Sequence, residues 1–196
     1  MARFSYPRTG EPPVSAPRWV HSLFETVNFS WVWVILRIYL GYQWIQASLH
    51  KISDPGWTQT GASLKGFWTG IVAIPEKGKP PINYDWYRAF IKFMLAHNSY
   101  TWFGPLVAYG ELAIGIALIV GVLTGFAAFG GAFMNMNFML AGSASSNPVL
   151  FVLAVMLILS WKVAGYWGVD RWLLPLLGTP WRSELRQQAD PLRAGS

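Results

Sequence analysis

Apolar positions along the chain gather into four long runs, at residues 30–51, 103–123, 126–141 and 148–167, divided by polar or glycine-bearing steps. The first and second are about long enough to cross ~30 Å of hydrocarbon at 1.5 Å per residue. The third is short, so it tilts little or extends into its flanks. Helical geometry sorts the first run into three stripes. Val34, Ile38, Ile45, Leu49 and Ile52 form an apolar face toward lipid, and Tyr39, Gln43, Gln46 and His50 form a hydrophilic one. Arg37, Gly41, Ser48 and Lys51 make a third, so two of the three faces should touch protein or water. Between the first two runs, residues 53–102 form a long connection with two weaker helical patterns. In one, Leu64, Phe67, Trp68, Ile71 and Ile74 repeat. In the other, Trp86, Ala89, Phe90, Phe93 and Met94 repeat opposite Arg88 and Lys92. Both are too short to span and read as interfacial amphipathic helices.

The expected architecture is therefore an all-α integral membrane protein. A four-transmembrane-helix bundle occupies residues 30–169, with additional interfacial helices in the connection. Residues 1–29 form a proline-rich disordered arm and a short amphipathic helix with Trp19, Leu23 and Val27 on one face. Residues 170–196 form a short apolar segment and a polar C-terminal tail. Four spans place both termini on one side. Seven Lys and Arg there (Arg3, Arg8, Arg18, Arg171, Arg182, Arg186, Arg193) against five in the connection (Lys65, Lys77, Lys79, Arg88, Lys92) favour a plasma membrane protein with cytoplasmic termini.

Composition agrees. The chain is 53% hydrophobic and 12% charged, against roughly a quarter charged in an ordinary soluble domain. Its net charge of +6 is scattered, so no dense phosphate footprint exists and nucleic-acid binding is excluded. Lipid headgroups explain the basic excess better. With no cysteine, disulfides, thiolate metal sites and thiol relays are also excluded.

Ionisable groups inside a bilayer are costly and should be paired, face an interior or act in function. Counting from the helix ends places Arg37 roughly 12 Å and Glu111 roughly 18 Å from the inner boundary. An Arg37–Glu111 ion pair in the bundle interior is therefore expected, with one asparagine adding a hydrogen bond. Asn135 and Asn137 lie about 200° apart on their helix, so only one of them can face the pair. The pair is either a structural register device or a functional one. Lys162 reads as a residue snorkelling to the membrane surface. His50 and Lys51, at the end of the first run, suit either an interfacial anchor or a site for a small anion or a proton relay. The other histidines, His21 and His97, lie in surface segments, which makes bis-histidine haem ligation or a zinc site improbable. Gly110, Gly115, Gly121, Gly125, Gly130 and Gly131 point to close helix packing rather than a phosphate loop.

The runs LRIYLGYQWIQASLHKISDP, GELAIGIALIVGVLTG, MNMNFMLAG and AGYWGVDRWLLP, in that order, resemble the DoxX/DoxD family of bacterial and archaeal membrane proteins over roughly residues 36–175. The resemblance implies a four-helix membrane protein similar to the DoxD subunit of thiosulfate:quinone oxidoreductase. It also implies a second protein subunit, a quinone as substrate and a small reductant. On that basis Arg37, His50, Lys51 and Glu111 are candidates for anion binding, proton transfer or quinone contact. Asn137, Tyr166 and Asp170 lie in the other matching runs. Tyr39, Gln43, Trp44 and Gln46 could supply donors to a quinone in an apolar cleft. No bound haem, flavin, iron–sulfur cluster or zinc is expected. The competing reading is a non-catalytic accessory or scaffold subunit of a respiratory or redox complex.

Overall fold

The structure, a computed structural model, describes residues 17–178. Among these residues every regular element is helical. A short helix α1 (Arg18–Glu25) leads through a 3-10 turn at Val27–Phe29 into α2 (Ser30–Ile52). The connection folds as α3 (Pro55–Thr58), α4 (Ala62–Val72) and α5 (Asp85–Ala96). Three further long helices follow, α6 (Tyr100–Val120), α7 (Thr124–Leu140) and α8 (Asn147–Leu159). Two short ones, α9 (Trp161–Ala164) and α10 (Asp170–Leu176), close the described chain.

The long helices alternate in direction. α2 packs mainly on α6 and α7 on α8, while α6 and α7 touch each other less. Trp33, Leu40, Trp44, Leu118, Leu150 and Leu157 join small residues of α7 and α8 in the main core. A second core forms where α4 and α5 fold over the end of α7, around Leu64, Trp68, Ile82, Tyr87 and Ile91. Outward faces are apolar on every long helix: Ile35 and Ile38 on α2, Leu106 and Ile116 on α6, Phe126 and Phe133 on α7, Val149 and Val152 on α8 are all exposed. Among the described residues, α6 alone is long and apolar enough by itself to cross a membrane, with a mean hydropathy of 1.9 over its best window. α1 and the Val27–Ile52 stretch meet the same test only jointly, across a bend of 67°.

Three sequence expectations are corrected. The run at 103–123 starts earlier, at Tyr100, because the chain turns sharply at Asn98 (φ +53°) straight out of α5. The run at 148–167 is not one helix. Ser160 donates its hydroxyl to the carbonyls of Met156 and Leu157, ends α8, and leaves α9 as a single separate turn holding Lys162. Residues 170–178 are no tail, since Asp170–Leu176 is helical and anchored by its buried first residue; residues 179–196 and the arm at 1–16 lie outside the described residues. The inner face of α5, which periodicity leaves open, is decided by packing. The helix buries Tyr87, Arg88, Ile91 and Met94 and leaves Trp86, Phe90 and Phe93 exposed. Arg88 can be buried because Asp85 Oδ1 accepts from its Nη1 at 2.6 Å and the Ile82 carbonyl accepts from its Nη2. A paired guanidinium tolerates an interior that a lone one would not.

Candidate functional site: a polar cavity beside a buried ion pair

The register of α2 on α6 is set by two glycines. A Cβ at Gly41 would lie 2.8 Å from the Gly115 carbonyl oxygen, and one at Gly115 would lie 2.6 Å from Ile45 Cγ1. Small residues let two backbones approach this closely where larger ones would hold them apart. About two turns further on, Ser48 Oγ donates to the Ala108 carbonyl at 2.8 Å. These contacts bring the last turn of α2 level with the middle of α6. Lys51 Nζ thereby meets Glu111 at 2.7 Å (Oε2) and 3.0 Å (Oε1), with the Ala47 carbonyl at 3.4 Å. Glu111 is 0% exposed and Lys51 slightly exposed. The ammonium also stands over two rings, 5.5 Å from the centroid of Trp57 and 5.8 Å from that of Phe138.

The expected Arg37–Glu111 pair is thus overturned: Glu111 pairs with Lys51. Counting from helix ends took α2 to begin at one membrane boundary and α6 at the other, whereas the Gly41–Gly115 contact fixes their relative height and carries Arg37 toward the far end of α6. There its Nη2 donates to the Trp167 carbonyl at 3.2 Å. Its Nη1 is wedged between Gly121 and Gly168, where added Cβ atoms would sit 1.6 Å and 2.5 Å away. Asp170 supplies the counter-charge. That carboxylate also caps α7, accepting from the backbone N–H of Leu123 at 2.6 Å and of Thr124 at 2.8 Å.

Beside the Lys51–Glu111 pair lies a cavity of about 430 Å3. α2 contributes Gln43, Trp44, Gln46, Ala47, His50 and Lys51, α6 contributes Glu111, and α7 contributes Asn135 and Phe138. The α7–α8 loop brings Ser143, Ser145, Ser146 and Asn147 to the rim, and Trp57 and Phe67 close one side. Polar groups therefore ring the mouth, and the ion pair lies within. Asn135 is 0% exposed, yet neither its Oδ1 nor its Nδ2 has a hydrogen-bond partner; the same holds for Trp44 Nε1. The indole nitrogen lies where Gly131 has no side chain, one helical turn from Asn135. Unsatisfied buried polar groups cost roughly 1–3 kcal/mol each. Both residues that carry these three atoms, Asn135 and Trp44, line the cavity beside the ion pair.

Six of the eight sequence-predicted site residues meet at this cavity: Gln43, Trp44, Gln46, His50, Lys51 and Glu111. Arg37 does not, for the reason given. Tyr39 does not either. It is 47% exposed and lies nearly three turns from His50, where its stripe has left the cavity for the outer surface. The asparagine expected to bond the ion pair makes no such bond, although Asn135 does face the cavity. Asn137 faces the other way, its amide donating to Phe133 O at 2.8 Å and its carbonyl accepting from the Tyr87 hydroxyl at 3.1 Å. Asn135 is missing from the predicted ligand contacts, although an amide inside an apolar run is itself the signal for it. Trp57, Phe138 and the serines at 143–146 carry no such signal, because chain folding alone brings them there.

The DoxX family profile matches residues 32–143, more than half of the chain. The chain belongs to the DoxX family. It is accordingly a membrane protein, and the matched segment spans α2 to α7 and holds Lys51, Glu111 and Asn135. No curated protein and no solved structure matches this DoxX protein.

Proposed function

We propose that this DoxX protein is a membrane-embedded oxidoreductase component that binds quinone in the cavity beside Lys51 and Glu111. In this reading α2, α6, α7 and α8 with α9 form a four-helix bundle through the bilayer. Supporting it, all four present apolar outer faces, and the 17 residues of α7 rise ~26 Å, close to the hydrocarbon thickness. Both termini then share the cytoplasmic side and the cavity opens at the opposite face.

The observation that carries the reading is the unpartnered amide of Asn135. A quinone carbonyl accepts from Asn135 Nδ2, from Trp44 Nε1 and from the Lys51 ammonium. A quinol hydroxyl, in turn, donates to Asn135 Oδ1. The site thus has donors for the oxidised head and an acceptor for the reduced one. Reduction needs two electrons and two protons. Glu111, held by Lys51, stands where it can pass protons between the head and the mouth at Gln46 and His50. The electrons come from a small reductant at that mouth, thiosulfate being the one the DoxD resemblance implies, or through a partner subunit docked there.

Titration calorimetry of the detergent-purified full chain with a short-chain quinone tests this. Saturable binding is expected, weakened at least about tenfold in Asn135→Leu and Glu111→Gln and unchanged in Tyr39→Phe. No saturable binding by the folded wild-type chain would refute the reading and leave the accessory-subunit role.

A further inference from the structure

A second cavity, of about 460 Å3, lies where α6 and α7 diverge beneath α4 and α5. Its lining is almost wholly apolar, and its depth depends on two glycines facing each other's helices. At Gly110 an added Cβ would meet Met134 Cε at 3.6 Å, and at Gly130 it would meet Ile114 Cδ1 at 3.3 Å. Trp57, Phe67 and Phe138 line both this groove and the polar cavity. They form a common wall of three rings, and the Lys51 ammonium lies over two of them. A polar chamber that holds an ion pair and an apolar groove thus lie back to back, divided by these aromatic side chains. Leu106 and Phe133, on the outer faces of α6 and α7, line its lip.

We infer that the groove is the second half of one site and holds the isoprenoid chain of a quinone whose head lies beside Lys51 and Glu111. The inference rests on the quinone reading of the polar cavity. It names the substrate class more narrowly, as a lipid-soluble quinone that enters sideways from the bilayer, its chain against Gly110 and Gly130 and its head past Phe138. The adjacency of the two cavities across one aromatic wall favours this occupant over a phospholipid acyl chain. An acyl chain would use the groove alone and leave Asn135 and Trp44 unpartnered. Because lipid is as apolar as the groove, the chain gains packing rather than escape from water, and its effect on affinity is modest.

The absence of cysteine lets a single reporter be placed. In Phe133→Cys, at the lip of the groove, maleimide labelling is followed in the detergent-solubilised full chain with a quinone bearing a ten-carbon chain, with the same head lacking the chain, and with a phospholipid. Calorimetry on the same samples reports whether each head binds. The chained quinone is expected to slow labelling and to bind about three- to tenfold more tightly than the chainless head, which leaves labelling unchanged. Gly110→Leu, and separately Gly130→Leu, fill the groove and should remove that difference while the chainless head still binds. Binding of both heads with no protection by either would overturn the chain assignment and spare the quinone site. Binding of neither would overturn both, and protection by phospholipid alone would assign the groove to an acyl chain.

Discussion

Arg37 and Lys51 lie on one face of α2, roughly 21 Å apart, and each is a cation carried into the interior by the same helix. Their surroundings differ in kind. At the Arg37 end the guanidinium itself is enclosed, and the cavity of about 590 Å3 that touches Asp170 and Thr124 is lined almost wholly by apolar side chains. Asp170 uses both oxygens to cap α7, Gly121 and Gly168 close on the guanidinium, and the α10 backbone ties itself to the corner through Asp170 N–H and the Gly121 carbonyl at 2.8 Å. At the Lys51 end the ion pair stands beside open volume lined by Asn135 and Trp44 groups that have nothing to bond. Buried charge alone therefore does not mark a site. The Arg37 end is a clasp that holds the α6–α7 corner, including Leu123 at its unfavourable φ of +47°. Unpartnered buried polar atoms occur at both ends, Arg37 Nε and Nη1 and Thr124 Oγ1 at one and those of Asn135 and Trp44 at the other, so what sets the Lys51 end apart is the polar-lined volume its ion pair borders.

The contrast is broken most forcefully by Asp170→Ala. It leaves the Arg37 charge uncompensated and two backbone donors orphaned, so a loss of about 3–5 kcal/mol is expected in unfolding followed in detergent. Quinone affinity of the remaining folded protein should not change; lost affinity at full stability would reverse the assignment of the two ends. Next is Glu111→Leu, which strands Lys51 and should cost about 3 kcal/mol, while the double variant Lys51→Met/Glu111→Leu recovers most of that. Quinone binding must stay absent in the double variant. Recovery of binding along with stability would make the pair merely structural.

Gly115→Leu pushes α2 off α6 and should cost about 2 kcal/mol, with weaker quinone binding because Lys51 shifts against Glu111. Asn135→Leu moves the other way. It removes two unsatisfied buried atoms, so unfolding should show a gain of about 1 kcal/mol together with lost binding. A stability loss there would mean that the amide serves the fold.

The smallest effect belongs to Asp54, just beyond α2. Its carboxylate is held below the ordinary carboxylate range by the Ser63 hydroxyl, at 2.6 Å, and then by the Gly56 N–H, at 2.8 Å. Stability from these bonds is present above the unfolded value of about 3.9 and is lost as pH falls through the lower folded value. The gap in Tm between wild type and Asp54→Ala should therefore be visible near neutrality and close in acid. A gap that widened in acid would contradict it.

Much of this was legible in the residues. The period of α2 named two faces that should meet protein or water, one of them carrying Gly41, Ser48 and Lys51. The rarity of charges in apolar runs picked out Glu111 together with Arg37, Lys51 was singled out with His50 at the end of its run, and the glycine content foretold close helix contact. Periodicity left the inner face of α5 open, because a helix apolar on one side has two possible inner faces when its outer side meets lipid instead of water.

What the sequence determined by itself was helix content, membrane character and the small set of polar residues worth following, because propensity and hydrophobic spacing act along a single segment. The tertiary structure alone decided which of them meet. Whether Glu111 faces Arg37 or Lys51 depends on the height of one helix against another, and that height is set by backbone contact at Gly41 and Gly115, between residues 74 positions apart. Empty volume beside Asn135 is likewise a property of packing among several helices, and no one of them encodes it.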